Sequence, residues 1–106
     1  MTMTKDNFDK YDPQELQQKY EEWCKLHRQQ LEAQQQFLQA EALQNELKNY
    51  YLDPQWMTDR EADLPIEHSG KEYSIFSEDA LWSMLSDHDA LARKWMRLGL
   101  DAIDRK

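Results

Sequence analysis

Residues 12–54 read DPQELQQKYEEWCKLHRQQLEAQQQFLQAEALQNELKNYYLDP. They open with Asp12, Pro13 and Glu15, the residue types that begin a helix: an aspartate that caps free N–H groups, a proline with no N–H to leave unpaired, and a glutamate that reaches back to the cap. Neither proline nor glycine interrupts the chain again before the proline that ends the stretch. Most residues between are strong helix formers, which lose little side-chain freedom in a helix. The stretch predicts one long helix over residues 13–52, about 60 Å in length at the rise of an α-helix.

A second helix start follows at once, where Asp53 and Pro54 repeat the same cap chemistry. This pair predicts a short helix over residues 54–62. The chain then reaches its third proline and its first glycine. Residues 63–76 are therefore predicted to form a loop.

A last helix is predicted over residues 77–104. Ser77 is a good N-cap, and Glu78 and Asp79 place negative charge in the first turn, where the helix dipole favours it. A second cap signal at residues 86–89 leaves open whether the helix breaks there. Apolar or aromatic residues recur every three or four positions along this helix, at Leu81, Met84 or Leu85, His88, Leu91 or Ala92, Trp95, Leu98, and Ala102 or Ile103.

Together these elements predict an all-α fold in a single helical domain over residues 1–106, with residues 1–11 as a frayed lead-in. The long N-terminal helix and the C-terminal helix are expected to form an antiparallel hairpin, with the short helix and the loop between them. The last helix would cover only about 42 Å of a partner about 60 Å long. We therefore expect part of the apolar surface of the long helix to stay uncovered until another protein or a second copy covers it.

The net charge of −8 is concentrated in the middle of the chain. Residues 53–89 contain ten acids and two bases, whereas residues 90–106 contain two acids and five bases. The acidic segment would repel nucleic acid and an anionic bilayer, so neither is an expected partner. It would attract a basic protein.

The compartment follows from the cysteine content and from hydropathy. Cys24 is the only cysteine, which excludes an internal disulfide. No apolar run approaches the length of a membrane span, and the first residues lack the apolar core of a secretory signal. The expected location is the reducing cytoplasm.

Several short motifs lie close together in the second half of the chain: Tyr50-Tyr51, Trp56, Asp59, Glu61, Asp63, Leu64-Pro65, Ser77-Glu78-Asp79 and Leu85. This order, YY-x4-W-x2-D-x-E-x-D followed by a loop with proline and an S-E-D helix start, resembles a family of short bacterial helical proteins known as a domain of unknown function. Members usually have Gly-Val-Leu before S-E-D, where this chain has Ser74-Ile75-Phe76. The resemblance implies a helical fold and a bacterial or phage origin. It implies no activity, because the family has no assigned chemistry.

Carboxylates are dense around the predicted loop, where Asp59, Glu61 and Asp63 alternate along the chain. Such groups can bind Mg²⁺ or Ca²⁺. However, the D-x-D-x-D-G order of a calcium loop is absent, and Glu61 points away from the other two on a helix. We interpret these acids as caps of the next helix or as partners of Arg60 and Lys71.

No catalytic residue, metal ligand or cofactor site is predicted. Cys24 and His27 lie about one helical turn apart, but structural zinc needs four ligands and the chain has no second cysteine. A nucleophilic site would also need a positioned base and an oxyanion hole, and the glycine motifs of hydrolases and nucleotide-binding proteins are absent.

The four tryptophans are divided between the core and the surface. Trp56 and Trp95 are predicted to belong to the core of this small domain, and Trp23 and Trp82 are the candidates for an interface.

The leading hypothesis is a non-enzymatic interaction or regulatory protein that binds another protein or itself, as a homodimer. One alternative is an acidic decoy of nucleic acid that inhibits a basic nucleic-acid-binding protein. Another is a divalent-metal enzyme built on the loop carboxylates. The candidate partner-binding residues are Trp23, Trp82, Asp59, Glu61, Asp63, Glu78 and Asp79.

Overall fold

A computed structural model describes residues 10–105 of the chain. This range contains three α-helices and no strand: α1 at Pro13–Leu52, α2 at Pro54–Glu61 and α3 at Ala80–Asp104. The all-α fold predicted from the sequence is thereby confirmed. Most of the predicted lead-in, residues 1–9, lies outside the described residues, and Lys10 and Tyr11 precede α1 without helical structure.

The contacts divide the chain into two compact units, one ending at Leu38 and the other beginning at Gln39. The described part of the first unit is dominated by α1, and the second holds the last turns of α1 together with α2 and α3. In the second unit α1 and α3 contact each other, with Leu47 of α1 facing the same cleft as Leu81 of α3. This contact confirms the predicted helical hairpin.

Aspartates cap the first two helices. The Gln14 N–H donates to the Asp12 carboxylate at 3.1 Å, and the Gln55 N–H donates to the Asp53 carboxylate at 2.9 Å. Each aspartate thus accepts from an N–H group that has no partner within its helix. Because Asp53 is the only residue between α1 and α2, the chain changes direction at a single residue.

The third helix begins later than the sequence indicates. The Phe76 N–H donates to the Ser74 hydroxyl at 3.1 Å, and the Ser77 N–H donates to the Ser74 carbonyl at 3.0 Å. This local turn occupies the predicted N-cap, so α3 starts at Ala80 with Asp79 at the cap, and the Asp79 side chain makes no capping hydrogen bond. Short-range turns of this kind compete with helix starts wherever serines cluster.

The remainder of α3 is continuous. It passes through residues 86–89 without a break and ends at Asp104. The second cap signal in this stretch therefore lies inside the helix.

Among the described residues only Trp56 and Leu81 are buried, at 6% and 4% exposure. Trp56 thus lies in the core, as predicted. Trp95 does not, because it is 36% exposed. The α3 residues that share a cleft with the 72–79 segment end at Asp87, two helical turns before Trp95.

A candidate partner-binding cleft

The corner between α1 and α2 is closed by a side-chain hydrogen bond. The Tyr50 hydroxyl donates to Asp59 Oδ2 at 2.6 Å, and Gln55 Nε2 donates to the same oxygen at 3.2 Å. The bond to the carboxylate holds the phenol proton and, together with partial burial and the nearby negative charge, raises the pKa of Tyr50 to about 12. The Asp59 carboxylate therefore serves as the acceptor that joins α2 to α1 at this corner.

Trp56 connects α2 to the segment that precedes α3. Its ring meets the ring of Tyr51 edge to face, with centroids 4.8 Å apart. Its indole Nε1–H donates to the Ile75 carbonyl at 3.0 Å. A buried indole needs such an acceptor, and here it fixes Ile75 against α2.

Arg60 makes a second connection beside the first. Its Nε–H donates to the Phe76 carbonyl at 3.0 Å, and its guanidinium carbon lies 5.5 Å from the centre of the Trp56 ring. The arginine thus combines a hydrogen bond with a cation–π contact. Through Arg60 and Trp56, α2 holds two consecutive carbonyls of the 72–79 segment in place.

The backbone conformation of Asp63 follows from its position at the end of α2. The Leu64 N–H donates to the Asp59 carbonyl at 3.4 Å, and the Asp63 N–H donates to the Arg60 carbonyl at 3.1 Å. Asp63 has a φ of +50°. This is a Schellman motif, in which a left-handed residue satisfies the last carbonyls of a helix. The backbone of Asp63 therefore ends α2.

An open cleft of about 900 Å³ lies between the end of α1, the 72–79 segment and the first two turns of α3. We call it the acidic cleft. Apart from Tyr73, its apolar lining residues are half-buried or buried, and the most buried is Leu81. The apolar lining consists of Leu47, Ile75, Ala80, Leu81 and Met84. Tyr73 also lines the cleft, but its side chain is largely exposed.

The polar lining of the acidic cleft has a single sign of charge. Its charged residues are Glu72, Glu78, Asp79 and Asp87, and among residues 10–105 no lysine or arginine lines it. All four are exposed. No ion pair or side-chain hydrogen bond joins these carboxylates to any residue in the range 10–105. Apolar surface and unpaired negative charge therefore lie side by side.

The structure brings together only two of the seven candidate residues, Glu78 and Asp79. Asp59 bonds to Tyr50, Asp63 ends α2, and Glu61 is exposed outside the cleft. The interpretation of these three acids as caps of α3 or partners of Arg60 and Lys71 is therefore wrong for Asp59, whose carboxylate accepts from Tyr50 and Gln55. For Glu61 and Asp63 it stays a prediction.

The two tryptophan candidates are both exposed. Trp82 is 60% exposed on α3, beside the buried Leu81 but not among the residues that line the cleft. Trp23 belongs to the first unit, is 58% exposed and stacks on His27 with ring centroids 4.7 Å apart. Also in the first unit, a hydrogen bond with Cys24 raises the pKa of Tyr20.

Sequence reasoning missed Glu72 and Asp87 and the apolar residues between them. A signal for Asp87 was present, because Asp79, Ser83 and Asp87 follow one another at intervals of four, which places them on one face of a helix. Glu72 carried no such signal. It reaches the cleft because Trp56 and Arg60 hold its segment, which depends on contacts between residues distant in sequence.

In residues 10–105 no three His, Cys, Asp or Glu side chains are grouped closely enough to hold a metal ion. None of the three helices combines the length and the apolar character that crossing a bilayer requires.

The corner between α1 and α2, the 72–79 segment and the acidic cleft all lie within a stretch that matches a known protein family. The chain belongs to the family described as a domain of unknown function, DUF4298, whose sequence model matches residues 14–98. This match confirms the resemblance seen in the motifs. No curated protein and no solved structure gives a significant match to the chain.

Proposed function

We propose that this chain is a non-enzymatic protein-binding module whose acidic cleft accepts an amphipathic, basic segment of another protein. The observation that carries the proposal is the lining of the cleft, where half-buried apolar side chains stand beside four exposed and unpaired carboxylates. A segment with apolar residues on one face and Lys or Arg at its edges complements both features.

The shape of the cleft favours a peptide over a small molecule. Small-molecule pockets of similar volume enclose most of the ligand surface. The acidic cleft is open to solvent and is lined by α3 on one side and by the non-helical 72–79 segment on the other. Grooves of this kind accept a helix, whose side chains at three- and four-residue intervals reach the apolar lining.

The cytoplasm is the proposed compartment of this module. Cys24 is a free cysteine on α1, and a reducing environment keeps a lone thiol from pairing with other chains.

A fluorescent helical peptide with leucines on one face and lysines beside them would test the proposal, by measurement of its binding to the protein. The test variant reverses two cleft charges, Glu78→Lys and Asp87→Lys. The matched control, Glu61→Lys with Glu67→Lys, changes the net charge equally outside the cleft. We expect the cleft variant to weaken binding about tenfold or more, since it removes attraction and adds repulsion at the contact. The control should stay within about twofold of the unmodified protein at moderate salt, because distant exposed charges are screened.

The same titration distinguishes the proposed cleft from the acidic-decoy alternative. A decoy acts through its overall charge, so both double variants would lose affinity equally and binding would vanish at high salt. Equal losses would contradict the proposed cleft. An apolar variant, Met84→Asp, adds negative charge and should still weaken binding if the apolar lining contributes.

A further inference from the structure

The face of α3 that lines the acidic cleft continues to the end of the helix. The cleft residues Ala80, Met84 and Asp87 are spaced by four and three, and the same alternation continues through the following turns. Residues at these intervals share one side of a helix. In full, the face consists of Ala80, Met84, Asp87, Leu91, Lys94, Leu98, Asp101 and Arg105. Of its apolar members, Leu91 is 42% and Leu98 is 55% exposed.

The charge near this face changes sign halfway along the helix. Residues 78–89 contain four carboxylates and no lysine or arginine. Residues 93–105 contain four lysines and arginines and two carboxylates. The basic half has the chemistry that the acidic cleft would accept, an apolar stripe with cations beside it.

We infer that the segment bound in the acidic cleft is the basic half of α3 from a second copy of this chain, in an antiparallel and twofold-symmetric dimer. This inference rests on the proposed function of the cleft and names its partner. In an isologous dimer the same two surfaces meet twice. A twofold axis near Leu91 satisfies that condition here.

The positions match about this axis. Met84 lies seven residues before Leu91 and Leu98 seven residues after it, so an antiparallel pair of helices brings Met84 of one copy beside Leu98 of the other. Asp87 and Lys94 lie four residues before and three after, so they approach each other twice. Leu91 meets its own copy at the centre.

Charge selects the antiparallel arrangement. Parallel helices would place the carboxylates of the two copies together and the cations of the two copies together, and both contacts are repulsive. The antiparallel arrangement instead supplies cations to the carboxylates of the cleft, which have no partner among the described residues. It also covers the exposed Leu91 and Leu98, whose burial favours association.

A charge-exchange experiment tests the inference on the full chain. In the proposed dimer Asp87→Lys faces Lys94 of the other copy, and Lys94→Asp faces Asp87, so each variant alone should dimerise at least about tenfold more weakly than the unmodified protein. A mixture of the two variants restores both attractions and should form heterodimers, as should the double variant D87K/K94D with itself. Sedimentation equilibrium gives the dissociation constants, and native mass spectrometry identifies the heterodimer.

The controls keep a negative result interpretable. Glu61→Lys changes charge outside both halves of the face and should leave dimerisation unchanged. Circular dichroism verifies that the exposed substitutions at Asp87 and Lys94 retain the helix content. Leu98→Glu should abolish the dimer but leave the cleft of the same chain intact, so it should still bind the basic test peptide.

Two outcomes would overturn the inference. One is an unmodified protein that stays monomeric at every concentration, and the other is a dimer that both single charge variants leave unchanged. If the basic peptide still binds the cleft in either case, the proposed function survives while the dimer does not. If neither the dimer nor peptide binding is observed, both are contradicted.

Discussion

Tyr50 and Asp59 lie nine residues apart, on opposite sides of the corner between α1 and α2, and the Tyr50 hydroxyl donates to the Asp59 carboxylate at 2.6 Å. The bond spans the single-residue connection at Asp53 and holds the first turns of α2 against the last turn of α1. Trp56 lies between them in sequence and packs on Tyr51. The residues that first indicated the family, two tyrosines, a tryptophan and an aspartate, therefore build this corner.

The pH dependence of stability should reveal the Tyr50 bond. An unfolded tyrosine ionises near its ordinary pKa of 10.0, whereas the folded protein raises the pKa of Tyr50 to about 12. The bond therefore contributes its full stabilisation below pH 10, and this contribution is lost as the pH rises from about 10 to about 12. Urea unfolding across that range should show the stability difference between the unmodified protein and Tyr50→Phe shrinking.

Two further variants define what this result means. Asp59→Asn removes the charged acceptor and should remove the same pH-dependent component. Gln55→Ala removes the other donor to Asp59 but leaves the phenol in place, so it should retain the component. A difference between Tyr50→Phe and the unmodified protein that stays constant from pH 9 to 12 would contradict the assignment.

Trp56 should be the most costly tryptophan to remove. Its side chain is 6% exposed and pairs with the Ile75 carbonyl, so Trp56→Ala is expected to lower the free energy of unfolding by about 3 kcal/mol or more. Trp82→Ala, at 60% exposure, should change it by no more than about 0.5 kcal/mol. Chemical denaturation of both variants measures the difference, and equal losses would show that Trp56 is not the anchor.

Asp63→Gly should stabilise the protein. Asp63 has a φ of +50° at the position after a helix where glycine is favoured. Relief of the left-handed strain should raise the free energy of unfolding by up to about 1 kcal/mol. The matched change Glu61→Gly, inside α2 two residues earlier, should lower it by about 0.5–1 kcal/mol. Thermal unfolding gives both signs, and a loss of stability in Asp63→Gly would rule out the proposed strain.

Arg60→Lys should loosen the 72–79 segment without a change in net charge. Lysine has no equivalent of the Nε–H that reaches the Phe76 carbonyl, and it lacks the flat guanidinium that lies near the Trp56 ring. The Ser77 N–H, bonded to the Ser74 carbonyl, should then exchange with solvent faster, because local opening is easier.

Hydrogen exchange read by NMR measures this change. Arg93→Lys is the control, since the ion pair of Arg93 with Asp89 is exposed and such a pair contributes little to stability. Exchange at Ser77 that stays the same in Arg60→Lys would show that the arginine does not hold the segment.

The accuracy of the sequence predictions depended on the distance between the interacting residues. Asp12 and Asp53 cap helices through N–H groups two residues away, and both caps were predicted. Ser77 was wrong as a cap because Ser74, three residues earlier, forms a competing turn that has the same sequence signal. Asp59 was misread because its partner, Tyr50, belongs to another helix.

The sequence by itself determined the helical class, the length of α1 and the place where the chain turns, since propensity, capping and proline act over a few residues. Only the tertiary structure decided which carboxylates gather at one site. The Asp59 carboxylate bonds to Tyr50 at the corner, and Glu72 joins Asp87 at the cleft. The reason is physical: Glu72 reaches the cleft through contacts that Trp56 and Arg60 make to its segment across more than fifteen residues of chain, and no local pattern encodes them.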